Sequence, residues 1–410
     1  MSRVVVVGAG FAGLAAVREL RKSGAQVTLV DHHLYSTFQP LLYQVASGGL
    51  NPGDIAYPTR NFVHRHGARF RRGSVTAIDI EAQELVLDGA ARVVYDYLLL
   101  ASGVTTNYFG VPGAAEHSLA LYTRQEAIIL RDRLMAGLET LATRGGSGDL
   151  TAVIVGGGTT GVETAGALAE LRNAGVRAAF PEITPGQVNI VLVEQSPELL
   201  ASYPPRLRRY ALAQLRKRGV QVRLDTPVRE VTHDTITVGD GAVLRADLTI
   251  WAAGVAAAAG VHEWGLPHDR RGRIVVDDHL RVASHPNLFV AGDLASLDGH
   301  PLPQQAQPAI QTGTHAGRQI RRLLASEPTQ RFRYRDKGTM ATIGRNAAVV
   351  ALPYGVRVTG APAWVAWLGL HIVMLLGNRN RLSTLLNLSW RYLAWPSGNS
   401  LIVGDLPAQD

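Results

Sequence analysis

The chain has 410 residues, of which 46% are hydrophobic and 18% charged, with 43 glycines and no cysteine. That length leaves room for two or three packed domains, and the missing thiols exclude disulfides, thiolate metal ligands, iron–sulfur clusters and any mechanism that runs on a reactive cysteine. The net charge of +8 suits an anionic partner, yet no basic motif interleaved with aromatics and no recognition helix points to nucleic acid.

Arg3 and the apolar residues behind it imitate a secretion signal, but the stretch runs straight into a glycine-rich loop and lacks a cleavage region, so an intracellular protein is expected. Residues 4–7 are all valine and read as a buried strand. The loop Gly8-Ala9-Gly10-Phe11-Ala12-Gly13 follows, then a helix-like run. Glycines at this spacing let the chain turn sharply, bring a pyrophosphate against backbone N–H groups at a helix N-terminus, and seat the helix closely on the strand. Alone such a loop can be a plain turn. Here Val27-Thr28-Leu29-Val30 ends in Asp31, where a carboxylate accepts ribose hydroxyls. The first unit closes with Tyr97-Leu98-Leu99-Leu100-Ala101-Ser102-Gly103, a strand ending in small residues that let a cofactor approach.

The pattern then repeats. Ala152-Val153-Ile154-Val155 leads into Gly156-Gly157-Gly158-Thr159-Thr160-Gly161, and the run 189–193 ends in Glu194, a second ribose acceptor delayed by a loop-like insertion between Asn173 and Gln187. Leu248-Thr249-Ile250-Trp251-Ala252-Ala253-Gly254 repeats the closing strand. A third apolar run, 287–292, ends in Asp293, which either faces a polyol or ribose or caps the next helix. Thirteen histidines form no H-x-x-H or H-E-x-x-H pattern, so no metal site is expected.

Taken together, the acidic second strands, the Ala-Ser-Gly turn and the Ala-Gly-Asp strand resemble the FAD- and NAD(P)H-dependent two-dinucleotide oxidoreductases. Residues 38–48 (FQPLLYQVASG), Gly161-Val162-Glu163, 306–311 (AQPAIQ) and 336–345 (DKGTMATIGR) resemble one branch, the type II NADH:quinone oxidoreductases. Thr159 departs from the proline such proteins often carry. The resemblance implies an α/β fold of two Rossmann-like domains, the second inserted in the first, plus a C-terminal membrane-associating segment. It implies an FAD-binding domain over 1–111 and 266–330, an NADH-binding domain over 112–265 and a membrane and quinone region over 331–410. FAD would lie against Gly8, Gly10, Phe11, Ala12, Gly13, Asp31, Val75, Ala101, Gly103, Asp293 and Ala306. NADH would take Gly156, Gly158, Gly161, Glu194 and Gly254, and the carboxylates at 31 and 194 favour NADH over NADPH.

Four side chains are candidates for the reacting face. The resemblance places Glu163 near nicotinamide and flavin; as a bare helix residue it complements the helix N-terminus. Gln307 and Gln311, four apart, share a helix face and could reach a quinone carbonyl, or simply pack. Lys337 could polarise a quinone oxygen or be a solvated charge. His315 joins a proton path or is an ordinary helix residue.

Residues 337–404 hold Lys337, Arg345, Arg357, Arg379, Arg381 and Arg391 with no acid, and four of the six tryptophans, Trp364, Trp367, Trp390 and Trp395. Amphipathic aromatics beside arginines suit an anionic bilayer surface. The apolar run 364–376 is too short to span one, against the roughly 20 residues needed. Beyond it Leu385, Leu386, Trp390 and Leu393 recur at helical spacing, with Ser383, Thr384, Asn387 and Arg391 on the other side. That stripe meets a membrane, a second copy of the chain or another domain. The expected protein is a peripheral, non-proton-pumping NADH:quinone oxidoreductase of a respiratory chain on the cytoplasmic side of the inner membrane. Two rivals stay open: a soluble reductase of a ferredoxin-like carrier, and a flavoprotein whose redox state governs binding to a partner.

Overall fold

A computed structural model describes residues 1–297 and 302–394. The chain divides into two compact units, one built from Met1–Thr37, Tyr57–Thr105 and Val255–Asp336, the other from Phe38–Ala56, Thr106–Gly254 and the residues from Lys337 on.

In the first unit the valine run forms Arg3–Val7, the centre of a six-stranded sheet. It pairs in parallel with Gln26–Asp31 on one side and Tyr97–Leu100 on the other, and burial on both faces explains its unbroken apolar sequence. His285–Val290 extends the sheet beyond Tyr97–Leu100. The register sets Val7 opposite Val30 and Leu100, so Gly8, Asp31 and Ala101 lie together at one end of the strands. The helix Phe11–Leu20 is covered by Ala306–Leu324. Gly313 permits that approach, since a Cβ there would run into the Ala12 carbonyl.

The second unit carries a five-stranded parallel sheet ordered Leu119–Ala120, Leu248–Trp251, Leu150–Val155, Val188–Val193 and Gln221–Arg223. The helix Thr159–Glu170 follows Leu150–Val155 and continues through a π-helical turn, Leu171–Val176, where the sequence suggested a loop. The strands Thr339–Gly344, Ala347–Ala351 and Arg357–Thr359 form an antiparallel sheet. Its first strand rests on Thr159–Glu170 at Gly166, where any side chain would strike the Ile343 carbonyl. Two helices follow, Ala361–Met374 and Asn378–Ala394.

These units cross the boundaries expected from the sequence, because residues 38–56 and the C-terminal helices are tied together by buried polar bonds. Asp54 accepts from Ser383 Oγ at 2.7 Å and from Asn387 Nδ2 at 2.6 Å, and Asn380 Nδ2 donates to the Ala56 carbonyl at 2.8 Å. Arg391 donates to Gln44 Oε1, and Gly49 is small enough to let its guanidinium in.

The last helix is therefore turned with its polar side inward. Thr384 and Arg391 are buried, while Leu382, Leu386 and Trp390 are each more than half exposed. Two expectations need correction. Trp367 is a core residue, not an interfacial one, and the Arg391 charge is enclosed by protein instead of adding to the surface field. Trp390 does face outward, Trp364 packs edge-on against Tyr392, and Trp395 and the Leu393 side chain lie outside the described residues. No helix among the described residues is long and apolar enough to cross a membrane.

Candidate functional site

The two glycine-rich loops are built alike. Gly8 has φ +103° and Gly156 φ +111°, values that L side chains rarely adopt. A Cβ on either would strike the carbonyl of the closing strand, at Ala101 and Ala252 respectively. Gly13 and Gly161 repeat the match, each lying against the carbonyl of its own Gly8 or Gly156. Gly10 and Gly158, by contrast, face open space and are N-cap residues with no side-chain cap. A helix start without a side-chain cap suits an anion.

The acidic residues complete each loop in the same way. Asp31 Oδ2 accepts from Ala9 N at 2.6 Å and Oδ1 from His33 N at 2.7 Å. Glu194 Oε2 accepts from Gly157 N at 2.5 Å and Oε1 from Ser196 N at 2.7 Å. Each carboxylate oxygen keeps lone pairs for a further donor. These two cradles fit the pyrophosphate and ribose of a dinucleotide.

Around the first cradle, Phe11 and Ala12 open the loop helix, Gly103 turns at φ +73°, and Val75 begins a strand of a small antiparallel sheet. Asp293 follows His285–Val290 in a short turn, and burial lifts its carboxyl to about 7, with Arg273 pulling the other way. Gly292 N donates to Thr312 Oγ1 at 2.9 Å, fixing this turn to Ala306–Leu324. On that helix Ala306 is the first residue, and Gln307 Oε1 is buried with no hydrogen-bond partner among the described residues. Gln311 differs: Nε2 donates to Arg335 O at 2.9 Å and Oε1 accepts from Arg335 N at 3.0 Å, so its amide already holds the backbone at both ends. His315 Nε2 lies 3.0 Å from Gln330 O, a similar local tie.

In the second unit Gly254 is overlain by Phe109. Glu163 is buried in the first part of Thr159–Glu170, where Thr342 N donates to its Oε1 at 3.2 Å. Burial pushes its carboxyl up to about 8, opposed by the Thr342 N–H and by the Trp367 indole. The group thus carries a proton near neutral pH while enclosed among apolar and aromatic neighbours. Lys337, just before Thr339–Gly344, is exposed.

Sequence reasoning missed the residues that enclose Glu163. Tyr43 is wholly buried and its hydroxyl accepts from Gln44 Nε2 at 2.9 Å; desolvation first, then the Glu163 charge, raises it well above the ordinary tyrosine range. Thr339 Oγ1 donates to the Tyr203 hydroxyl at 2.9 Å, and burial lifts that hydroxyl to about 12. The apolar context of Tyr43 in 38–48 was the available signal, but its nearness to Glu163 is a long-range fact.

Comparison with known proteins adds to this geometry. A family model described as pyridine nucleotide-disulphide oxidoreductase matches residues 2–313. The chain is 37% identical over 404 residues to the type II NADH:quinone oxidoreductase NdhA of Mycobacterium tuberculosis, covering 93% of this chain and 85% of that protein. It is 30% identical over 386 residues to the type II NADH:quinone oxidoreductase of Staphylococcus epidermidis, covering 88% and 92%. Among solved structures, NDH2 from Plasmodium falciparum in complex with NADH superposes with a TM-score of 0.88 at 19% identity, covering 98% of this chain and 99% of that one.

Proposed function

From the premise that this chain belongs to the pyridine nucleotide-disulphide oxidoreductases, and within them to the type II NADH:quinone oxidoreductases, we propose how its residues carry two electrons from NADH through FAD to a quinone at a membrane surface. The observation that carries the reading is the pair of matching cradles, each with an uncapped helix start and a carboxylate latched to its loop. One cradle holds a resident dinucleotide and the other an exchanging one. With no cysteine in the chain, a thiol relay is excluded and the electrons leave to a diffusible acceptor.

Bound FAD supplies the hydride acceptor and the store for the electron pair. The Gly8 to Gly13 loop, Asp31 and Asp293 hold it, and the Gly156 to Gly161 loop and Glu194 hold NADH. Turnover takes one proton from solvent for each NADH oxidised and quinone reduced to quinol. Glu163, protonated near neutral pH, holds a proton in the dry interior of the second unit and is our candidate for moving it. Gln307, whose buried oxygen has no hydrogen-bond partner among the described residues, is the candidate polar group for cofactor or quinone, with Lys337 as an outer charge. Gln311 positions residue 335.

The exposed apolar side of the last two helices, with Val365, Val373, Leu382, Leu386 and Trp390 outward and Arg379 and Arg381 beside it, supports peripheral attachment to an anionic bilayer. The cytoplasmic face of the membrane is where NADH is available to such an enzyme.

The test is anaerobic. NADH should bleach the flavin, and a short-chain quinone should restore its absorbance without an added protein. Restoration only by an iron–sulfur protein would favour a carrier reductase, and failure with every acceptor would favour a regulatory flavoprotein. Flotation with anionic liposomes, weakened by salt, tests the membrane reading; a dimer that ignores liposomes would assign the apolar face to a second copy.

A further inference from the structure

Trp367 lies on a helix that faces outward on one side and reaches the interior of the second unit on the other. Along Ala361–Met374, Val365 and Val373 are exposed while Ala363 and Trp367 are buried. The indole is stacked on one face and flanked by a second ring. His371 stacks on it with ring centroids 4.0 Å apart and planes 22° from parallel, while His371 Nδ1 lies 2.7 Å from the Trp367 carbonyl. Phe38 meets His371 edge-on at 6.1 Å, and Tyr43 meets the indole at 6.1 Å. With Nδ1 bound to a carbonyl and the ring desolvated, His371 is neutral in this stack, its acidity moved to about 4.

The polar atom of this stacked ring makes no full hydrogen bond among the described residues. Trp367 Nε1 is buried and outside full hydrogen-bond geometry with every described atom, yet it acts on the Glu163 carboxyl in the same sense as the Thr342 N–H. Indole nitrogen donates only. A neutral carboxyl gains little from a second donor, whereas a carboxylate gains a charge-assisted bond. We propose that Trp367 is a positioning residue for Glu163: its clamped N–H closes on the carboxylate when the proton leaves, so the seat of Ala361–Met374 sets how readily that proton is released.

The other groups around Glu163 cannot do this. Tyr43 from residues 38–56 and Tyr203, just before Pro205–Lys217, are both held neutral by burial, and a charge on either would oppose ionisation of Glu163. From the strand Thr339–Gly344 comes one fixed backbone donor, Thr342 N. The strands Leu150–Val155 and Val188–Val193 bring no titratable side chain, and Glu194 beyond the latter is bound to Gly157 and Ser196. On Pro205–Lys217, Arg208 is paired with Glu198. Arg391 acts on Tyr43, Tyr392 and Glu170. Within its own helix, Glu170 is engaged by Arg345 N.

The proposal concerns the acidity of Glu163 and stands apart from the reaction assigned to it. Infrared titration of the full-length flavoenzyme reads it directly, using as reporter the carboxyl C=O band that is missing from Glu163→Gln. Trp367→Phe keeps the ring stack and removes the N–H, so the midpoint should rise from near 8 by about one to two pH units, the size of a hydrogen bond to a charged group. His371→Leu keeps the indole and loosens its clamp, and should move the midpoint the same way by less. If Trp367→Phe fails to fold, His371→Leu decides. An unchanged midpoint in the variant that folds, whatever its melting temperature, overturns the proposal. A shifted band beside an unmoved pH profile of quinone reduction would leave the proposal standing and remove Glu163 from the reaction.

Discussion

Replacing Glu163 by glutamine should make the protein's stability respond to pH differently, and the sign follows from where its proton sits. The folded-state value stands near 8 against an ordinary 4.5. Between those values the native chain keeps a proton that the unfolded chain has released, so stability falls as pH rises through that window and levels off above the folded value. At about 1.4 kcal/mol per unit the displacement amounts to something on the order of 4–5 kcal/mol between mild acid and mild alkali. Glutamine keeps the shape, still accepts from Thr342 N, and has no proton to lose. Denaturant midpoints for both flavoproteins at about pH 5 and about pH 9 give the comparison. Wild type should lose much of its advantage at the higher pH, and Glu163→Gln should not. Asp293, raised to about 7, adds a contribution of the same sign to both proteins and drops out of the difference. A gap between the two that is independent of pH would mean that Glu163 is not held protonated and that the dry enclosure drawn around it is wrong.

Other consequences are as direct. NADH should exceed NADPH in kcat/KM, because Glu194 is latched at the loop where a 2′-phosphate would have to sit; equal efficiency would contradict that role. Gly13→Ala should yield protein without bound flavin, and Gly161→Ala a yellow protein that NADH no longer bleaches, since each methyl meets a loop carbonyl within its own unit; absorbance spectra decide both. Asp54→Ala strands the donors Ser383 Oγ and Asn387 Nδ2 at about 1–3 kcal/mol each. It should lower Tm and open the last helix to proteolysis, and an unchanged digestion pattern would refute the clasp.

What could be read in advance was local. Four valines before Gly8, and the run before Gly156, announce buried parallel strands because a sheet covered on both faces needs no alternation. Asp31 and Glu194 are legible because strand length fixes where each chain end emerges. The last helix shows the limit. Its period of leucines and tryptophan identifies a stripe, but periodicity carries no direction, and only the bonds from Asp54 and Gln44 turn that stripe outward. Trp367 and Arg391 were misread for the same reason: a tryptophan or arginine in an acid-free segment looks superficial until a distant glycine such as Gly49 is seen to make room for it. Gln311 looked like a substrate group, and its tie to Arg335, 24 residues away, depends on a loop path that no pattern encodes.

The double duty of Ala361–Met374 bears on how the proposed membrane attachment can be removed without disturbing the interior. Ending the chain before Ala363 would remove the apolar surface, but it would also take the Trp367 side chain from the interior and admit water to Glu163. Exchanging only the outward residues, Val365, Val373, Leu382, Leu386 and Trp390, for polar ones leaves every buried neighbour in place. Such a variant tests the proposed membrane attachment separately from the chemistry, which a truncated one cannot.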